Sequence, residues 1–328
     1  VIMISKNEWD PLKKVIVGSA TDAKIPLSYG SRIVHFANLS NKEFLSLKFG
    51  NYPVRVIDEA NEDLEILCDF LKSIDVKVCR PVDNNPNFYN FCPRDTVLVT
   101  DDLVIPTPTA LEVRNKEYKA FNHHLPQSKV YTIPNFDQWE NAYNEDALGN
   151  PEIRALTNMH PYFDAANILR ANDDLYYLIS NTANFTGYVL LKTLLPNKKI
   201  HVLKDIYSYV HLDSTIAFLR EGLMLLNPAR IKDVKTQLPK SLHNWDIIWA
   251  PEPVDIGHYP GYNMASKWIN VNLFSVNPNL VILEEHQTNL QRMLEKHKIE
   301  SAMLPMRHAR TMGGCFHCVT LDLERDSQ

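Results

Sequence analysis

A thiol close behind a glycine pair, an imidazole and several carboxylates are the side chains here best suited to nucleophilic chemistry. The thiol is Cys318, within Gly313-Gly314-Cys315-Phe316-His317-Cys318, where the glycines allow backbone to come close to a bound molecule. Cysteine attacks as its thiolate, and an ordinary pKa near ~8.5 means that a neighbouring positive charge must favour that form. His211 offers a general acid and base, and Asp164 a carboxylate to orient its ring. Asp95 and Asp213 are two further acids, and paired carboxylates suit a planar, bidentate guanidinium. Arg230, behind Asn227-Pro228, suits a substrate carboxylate, and Ser266 adds a hydroxyl. Each has a plainer reading alone: a buried apolar sulfur for Cys318, caps or surface charges for the acids, a solvated loop residue for Arg230. The spacing Cys315-x-x-Cys318 also fits a redox pair or half of a zinc site, yet no second Cys-x-x-Cys completes four ligands and no thioredoxin-like helix start follows.

These residues recur at one place in a repeating pattern. Val97–Val99, the turn Asp101-Asp102, Leu103–Ile105, an amphipathic stretch near Asn115–His124 and the run Val130–Ile133 read as strand, turn, strand, helix, strand. The order returns at Ile168-Leu169, Leu175–Ile179, Phe185–Leu195 and Ile200–Leu203. A third copy runs Thr215–Leu219, Leu223–Leu226, a helical region from Ile231, and Asp246–Trp249. A fourth runs Val271–Val276, Leu280–Leu283, Thr288–His297 and Ser301–Leu304. The chain ends complete a fifth: Val319–Leu323 pairs with Lys13–Val17, followed by the helix bearing Leu64, Leu67, Leu71 and Ile74, then Val76–Val78. Joining the termini closes a ring and removes exposed sheet edges. The alternative on pattern alone is an ordinary α/β sheet. In a ring, the segments heading the first strands converge on one cavity; they carry Asp95, Asp164, His211 with Asp213, Ser266, and Cys318.

The 328 residues show no linker or compositional break, so a single domain over 1–328 is expected. A formal charge of −5, spread along the chain, excludes the basic footprint of a nucleic-acid binder or of a protein on an acidic membrane. No apolar run reaches membrane-spanning length, and Val1–Lys6 lacks a signal-peptide pattern. Five cysteines, an odd and sparse set, imply reduced thiols and a cytoplasmic setting.

The set of phrases resembles the amidinotransferases of the glycine amidinotransferase type. They are Asn7-Glu-Trp-Asp-Pro-Leu12 with Val15-Ile-Val-Gly18, Pro93-Arg-Asp95, Phe163-Asp-Ala-Ala166, His211-x-Asp213 with Asn227-Pro228, Ser266-Lys-Trp268, and Gly313-Gly314 with Phe316-His-Cys318. Their order and spacing agree over nearly the whole chain. The resemblance implies an α/β fold, the five-bladed propeller shared with arginine deiminases, with pseudo-fivefold ββαβ units around a central active site. It implies Cys318 as nucleophile, His211 as acid and base, Asp164 as the partner of that histidine, Asp95 and Asp213 on the guanidinium, Arg230 on the donor carboxylate and Ser266 on substrate. It also implies a homodimer acting on small molecules, with no cofactor or metal.

Three departures bear on the acceptor. Ala265 stands in place of a second serine, Cys315 in place of a third glycine, and Ser208-Tyr209-Val210 where the glycine-using enzymes have Asn-Pro-Met. Ser208 and Val210 would line the acceptor side, so glycine is not the expected acceptor, and the chain looks closer to the cyanobacterial toxin-pathway amidinotransferases. The expected reaction carries the amidino group of arginine to an amine through an amidino-cysteine, with ping-pong kinetics. A hydrolase on the same scaffold is the main rival, separated by exclusion of water. The long aromatic stretch Asn122–Met159 is the expected cover. A silent guanidinium-binding protein is the second rival, which would have no need of thiol, imidazole and Asp164 together.

Overall fold

The computed structural model describes residues 4–82, 89–125, 130, 139, 141–204, 206 and 209–326, apart from the side chain of residue 270. From the N-terminus come β1 (Leu12–Val17), the short β2 (Lys24–Ile25), α1 (Tyr29–Val34), α2 (Asn41–Ser46), β3 (Gly50–Asn51), α3 (Val54–Ser73) and β4 (Lys77–Cys79). The second unit has β5 (Val97–Thr100) and β6 (Leu103–Pro106). The third has β7 (Ile168–Ala171), β8 (Asp174–Leu178), α4 (Phe185–Leu194) and β9 (Lys199–Leu203). The fourth has β10 (Ile216–Arg220), β11 (Leu223–Leu226), α5 (Val234–Gln237) and β12 (Asp246–Trp249). The fifth has β13 (Phe274–Asn277), β14 (Leu280–Glu284), α6 (Thr288–Lys296) and β15 (Glu300–Leu304), after which α7 (Ala309–Met312) leads to β16 (Thr320–Arg325).

Four of the five units repeat one topology, an antiparallel hairpin and then a helical return to a parallel third strand, and the second keeps the hairpin. The hairpins turn through Asp101 and Asn172 at positive φ, a conformation that short polar side chains tolerate. The termini make the remaining sheet, with β16 antiparallel and β4 parallel to β1. Side chains alternate across a strand, and here each alternate set meets a different neighbouring sheet. Val97 and Val99 pack on Leu321 and Leu323, while Leu98 between them packs on Ile168. Leu169 packs on Ile216 and Phe218, and Ala217 and Leu219 on Val281 and Leu283. Phe274 and Val276 return to Val15, Val17 and Val319. Five sheets thus make five successive apolar interfaces, which closes the α/β propeller.

A polar chain links the innermost strands. Arg170 of β7, 1% exposed, donates from Nε to Glu8 at 2.8 Å, from Nη2 to Asp322 of β16 at 2.8 Å, and from Nη1 to the carbonyl of Val99 in β5 at 2.8 Å. Arg325 of β16 donates to the carbonyl of Ser275 in β13, whose hydroxyl donates to that of Phe218 in β10. Buried charges persist only when paired, and Glu8 and Asp322 are the anions that match this arginine.

The second unit departs from the sequence pattern. In place of an amphipathic helix, residues 112–124 form three short 3-10 turns, which turn Arg114 inward onto Asp95 and Glu117 onto Arg114. Val130 bridges Val104 in parallel, as a third strand would, and residues 131–133 of that expected strand lie outside the described residues. In the fourth unit the helix is reduced to α5 and a 3-10 turn at 240–242. In the fifth, Lys267–Val271 is a 3-10 turn, so the strand starts at Phe274 rather than Val271. Among the described residues no helix is long and apolar enough to cross a membrane.

Candidate active site

Apart from Arg230, which follows β11, every residue singled out by spacing, where described, sits just ahead of a first strand, and these segments meet at one cavity of about 380 Å³. Cys318, His211, Asp95, Asp213, Arg230, Ser266 and Val210 all line it. Asp164 stands one bond behind, holding His211. Ser208 lies outside the described residues.

The thiol is positioned by backbone. α7 ends at Gly313, which takes the left-handed conformation (φ 77°), and the chain then turns tightly to Cys318. A side chain at position 314 would bring its Cβ to 2.7 Å from the sulfur of Cys92 and 3.0 Å from Cβ of Cys318, so only glycine fits. Asn272 clamps the turn, its side-chain oxygen accepting from the backbone N–H of Cys318 (3.0 Å) and of Cys315 (3.3 Å). Cys318 is 3% exposed and its thiol donates to Oδ2 of Asp213 at 3.4 Å. A hydrogen bond to Cys92, burial, and the charge of Asp213 push this thiol well above the ordinary range. Cys315 points elsewhere, into the apolar core shared with Phe274 and Val276, where burial raises its thiol. It does not line the cavity, so the two cysteines do not act as a pair toward a ligand.

His211 hydrogen-bonds through Nε2 to Oδ2 of Asp164 at 3.0 Å, and Oδ1 of Asp164 accepts from the backbone N–H of Ala110 at 3.0 Å. Burial disfavours the charged ring, but Asp95 and then the Asp164 hydrogen bond outweigh it and lift His211 to about 9. Nδ1 of His211 lies 3.6 Å from Oδ1 of Asp95. That oxygen is buried with no hydrogen-bond partner among the described residues. The other oxygen of Asp95 pairs with Arg114 at 2.7 Å, and burial raises the Asp95 carboxyl despite His211 and Arg114. Asp213 is different: against burial, the hydrogen bond from Nδ1 of His317 (2.8 Å) holds its carboxyl low. Arg230 donates to the hydroxyls of Ser214 (2.9 Å) and Thr215 (2.7 Å), next to Asp213.

Such an arrangement has room for a cation between two carboxylates, with a thiol at one of them and a histidine–carboxylate pair at the other. Arg114, Asn272, His317 and Cys92 were not singled out by sequence. His317 stood inside the Phe316-His-Cys318 phrase, and Arg114 and Glu117, three apart, carried a weak helical ion-pair signal. Asn272 gave none.

The expected cover, Asn122–Met159, lies partly outside the described residues, at 126–129, 131–138 and 140. No described residue of 122–159 lines the cavity. Trp139, Tyr143 and Ile153 pack instead against Ile33, Val34, Leu111 and Tyr162, bracing α1 from behind. Residues between Lys24 and Leu39 and between Asn263 and Ser266 line the cavity with the thiol. Aromatic composition marked a packed segment, and its burial face was not legible from spacing.

The chain is 37% identical over 338 residues to inosamine-phosphate amidinotransferase 1 of Streptomyces glaucescens, covering 97% of this chain and 95% of that protein. Among solved structures it superposes on inosamine-phosphate amidinotransferase from Streptomyces griseus with a TM-score of 0.93 at 36% identity, covering 100% of this chain and 98% of the other. It superposes on SxtG, an amidinotransferase from Microseira wollei in the saxitoxin biosynthetic pathway, with a TM-score of 0.87 at 28% identity, covering 100% and 98%. No family model matches the chain.

Proposed function

The chain belongs to the amidinotransferase family, and on that premise we propose that it moves the amidino group of L-arginine to an amine other than glycine, through a covalent intermediate on Cys318. The observation that carries this reading is the thiol of Cys318 against Asp213 in a cavity shared with the His211–Asp164 pair.

Arginine's guanidinium lies between Asp213 and the open oxygen of Asp95, and its carboxylate meets Arg230. The cation offsets the negative charges that hold the thiol proton, which passes to solvent as arginine binds and is regained when the product leaves, and the thiolate forms there. It attacks the guanidinium carbon, giving a neutral tetrahedral adduct. His211, already protonated, gives its proton to the departing nitrogen; the C–N bond breaks, leaving ornithine, a cationic amidino-cysteine and a neutral imidazole. After ornithine leaves, the incoming amine attacks that carbon, His211 takes its proton, and the C–S bond breaks. Thiolate, imidazolium and a new guanidinium result, so charge and protons balance over the cycle.

Enzyme mixed with arginine alone tests this. One equivalent of ornithine and an amidino adduct on the Cys318 peptide, discharged by amine, are expected. Continuous urea release without amine would instead mean hydrolysis. The same reading has residues 1–328 act as one catalytic domain, in a cytoplasmic homodimer, which sedimentation and cell fractionation test.

A further inference from the structure

His35 and Lys24 are among the polar side chains of the cavity that the placement of arginine does not use. His35 caps the C-terminus of α1, its backbone N–H bonded to the carbonyl of Ser31, and it is fixed between Val34 and Phe36, both buried. Its ring lines the cavity, and among the described residues neither ring nitrogen has a hydrogen-bond partner. The charges it feels are those of Asp164, Arg114 and His211, the acid–base side, whereas Arg230 is tied down beside Asp213. Burial lowers the imidazole to about 4, so the ring is neutral and offers one N–H and one lone pair. Lys24 of β2 lines the same wall, and its ammonium makes no ion pair with a described residue.

The donor needs neither of them: two carboxylates serve its guanidinium, and Arg230 its carboxylate. In a ping-pong cycle ornithine departs before the second substrate arrives, so groups unused by arginine are free to select that substrate. We propose that His35 and Lys24 form the acceptor-recognition wall, His35 meeting a hydroxyl on the acceptor and Lys24 an anionic group at its far end. The inference rests on the amidino-transfer reading above. A hydroxyl matches a neutral imidazole because each group both donates and accepts a hydrogen bond. An acceptor of this class is larger than glycine, in keeping with the cavity volume of about 380 Å³.

The test separates the two half-reactions. Exchange of labelled ornithine with arginine reports formation and discharge of the amidino-enzyme without any foreign acceptor. Failure of that exchange in the unaltered enzyme would remove the transfer reading itself. With exchange established, discharge is measured with glycine, glucosamine, glucosamine 6-phosphate and glucosaminic acid, the last two distinguishing phosphate from carboxylate. The hydroxylated anionic amines should outrun both glycine and glucosamine. His35→Phe should lower their kcat/KM by about 10-fold or more relative to ornithine exchange, the worth of one hydrogen bond. Lys24→Met should erase the advantage of the anionic acceptors over glucosamine. The proposal is overturned if glycine is the best acceptor of the panel, or if both variants keep the acceptor-to-ornithine ratio within about twofold.

Discussion

The sulfur of Cys318 lies 3.4 Å from Oδ2 of Asp213, a carboxylate held low, against burial, by the His317 ring. The hydrogen bond to Cys92, burial and this anion all oppose the thiolate, so the proposed mechanism requires the cationic donor to favour it. Asp213 therefore has two opposed effects. Asp213→Asn should make the thiol of the free enzyme more acidic and faster to alkylate with iodoacetamide, while KM for arginine rises about 10- to 100-fold through loss of a charge-assisted contact. An alkylation rate that falls, or an unchanged arginine KM, would count against this account.

Cys318→Ala should remove turnover and the amidino adduct while arginine binding stays measurable by calorimetry. Product formation by that variant would sink the assigned nucleophile. A protein that only binds guanidinium would lose nothing.

The pH dependence follows from His211. Its imidazolium must protonate the leaving nitrogen, so kcat/KM for arginine should fall as pH rises through about 9. Asp164→Asn should move that limb to lower pH, because the hydrogen bond and charge of Asp164 both help to hold the proton. The same shift adds stability that is fully present below the unfolded value of 6.5 and is lost as pH rises through about 9. A limb that does not move in Asp164→Asn would assign it to another group.

Arg170→Leu should destabilise the fold by about 3–5 kcal/mol in denaturant unfolding, since Glu8 and Asp322 would stay buried without their shared cation. Loss below about 1 kcal/mol would mean that the polar chain between the inner strands contributes little to closure.

Much of the fold was legible because burial on both strand faces leaves a local trace: continuous apolar runs such as Val97–Val99 and Leu223–Leu226, separated by short turns at Asp101, Asn172 and Gly222. The amphipathic stretch near Asn115–His124 does not become a helix, because its segment folds as 3-10 turns that put Arg114 on Asp95 and Glu117 on Arg114, all three buried. Within the described part of the expected cover, Trp139 and Tyr143 pack beside α1, and only the partner surface distinguishes a brace from a lid.

The sequence by itself determined which residues head the inner strands, because strand and turn spacing are local properties of the chain. It thereby determined that Asp95, Asp164, His211, Asp213 and Cys318 would share a neighbourhood if the ring closed. The tertiary structure decided their charge states and partners. Asp95 and Asp213 are the same residue type, yet burial raises the first while His317, 104 positions away, holds the second low. Electrostatics depends on distance through the folded interior, which separation along the chain does not encode.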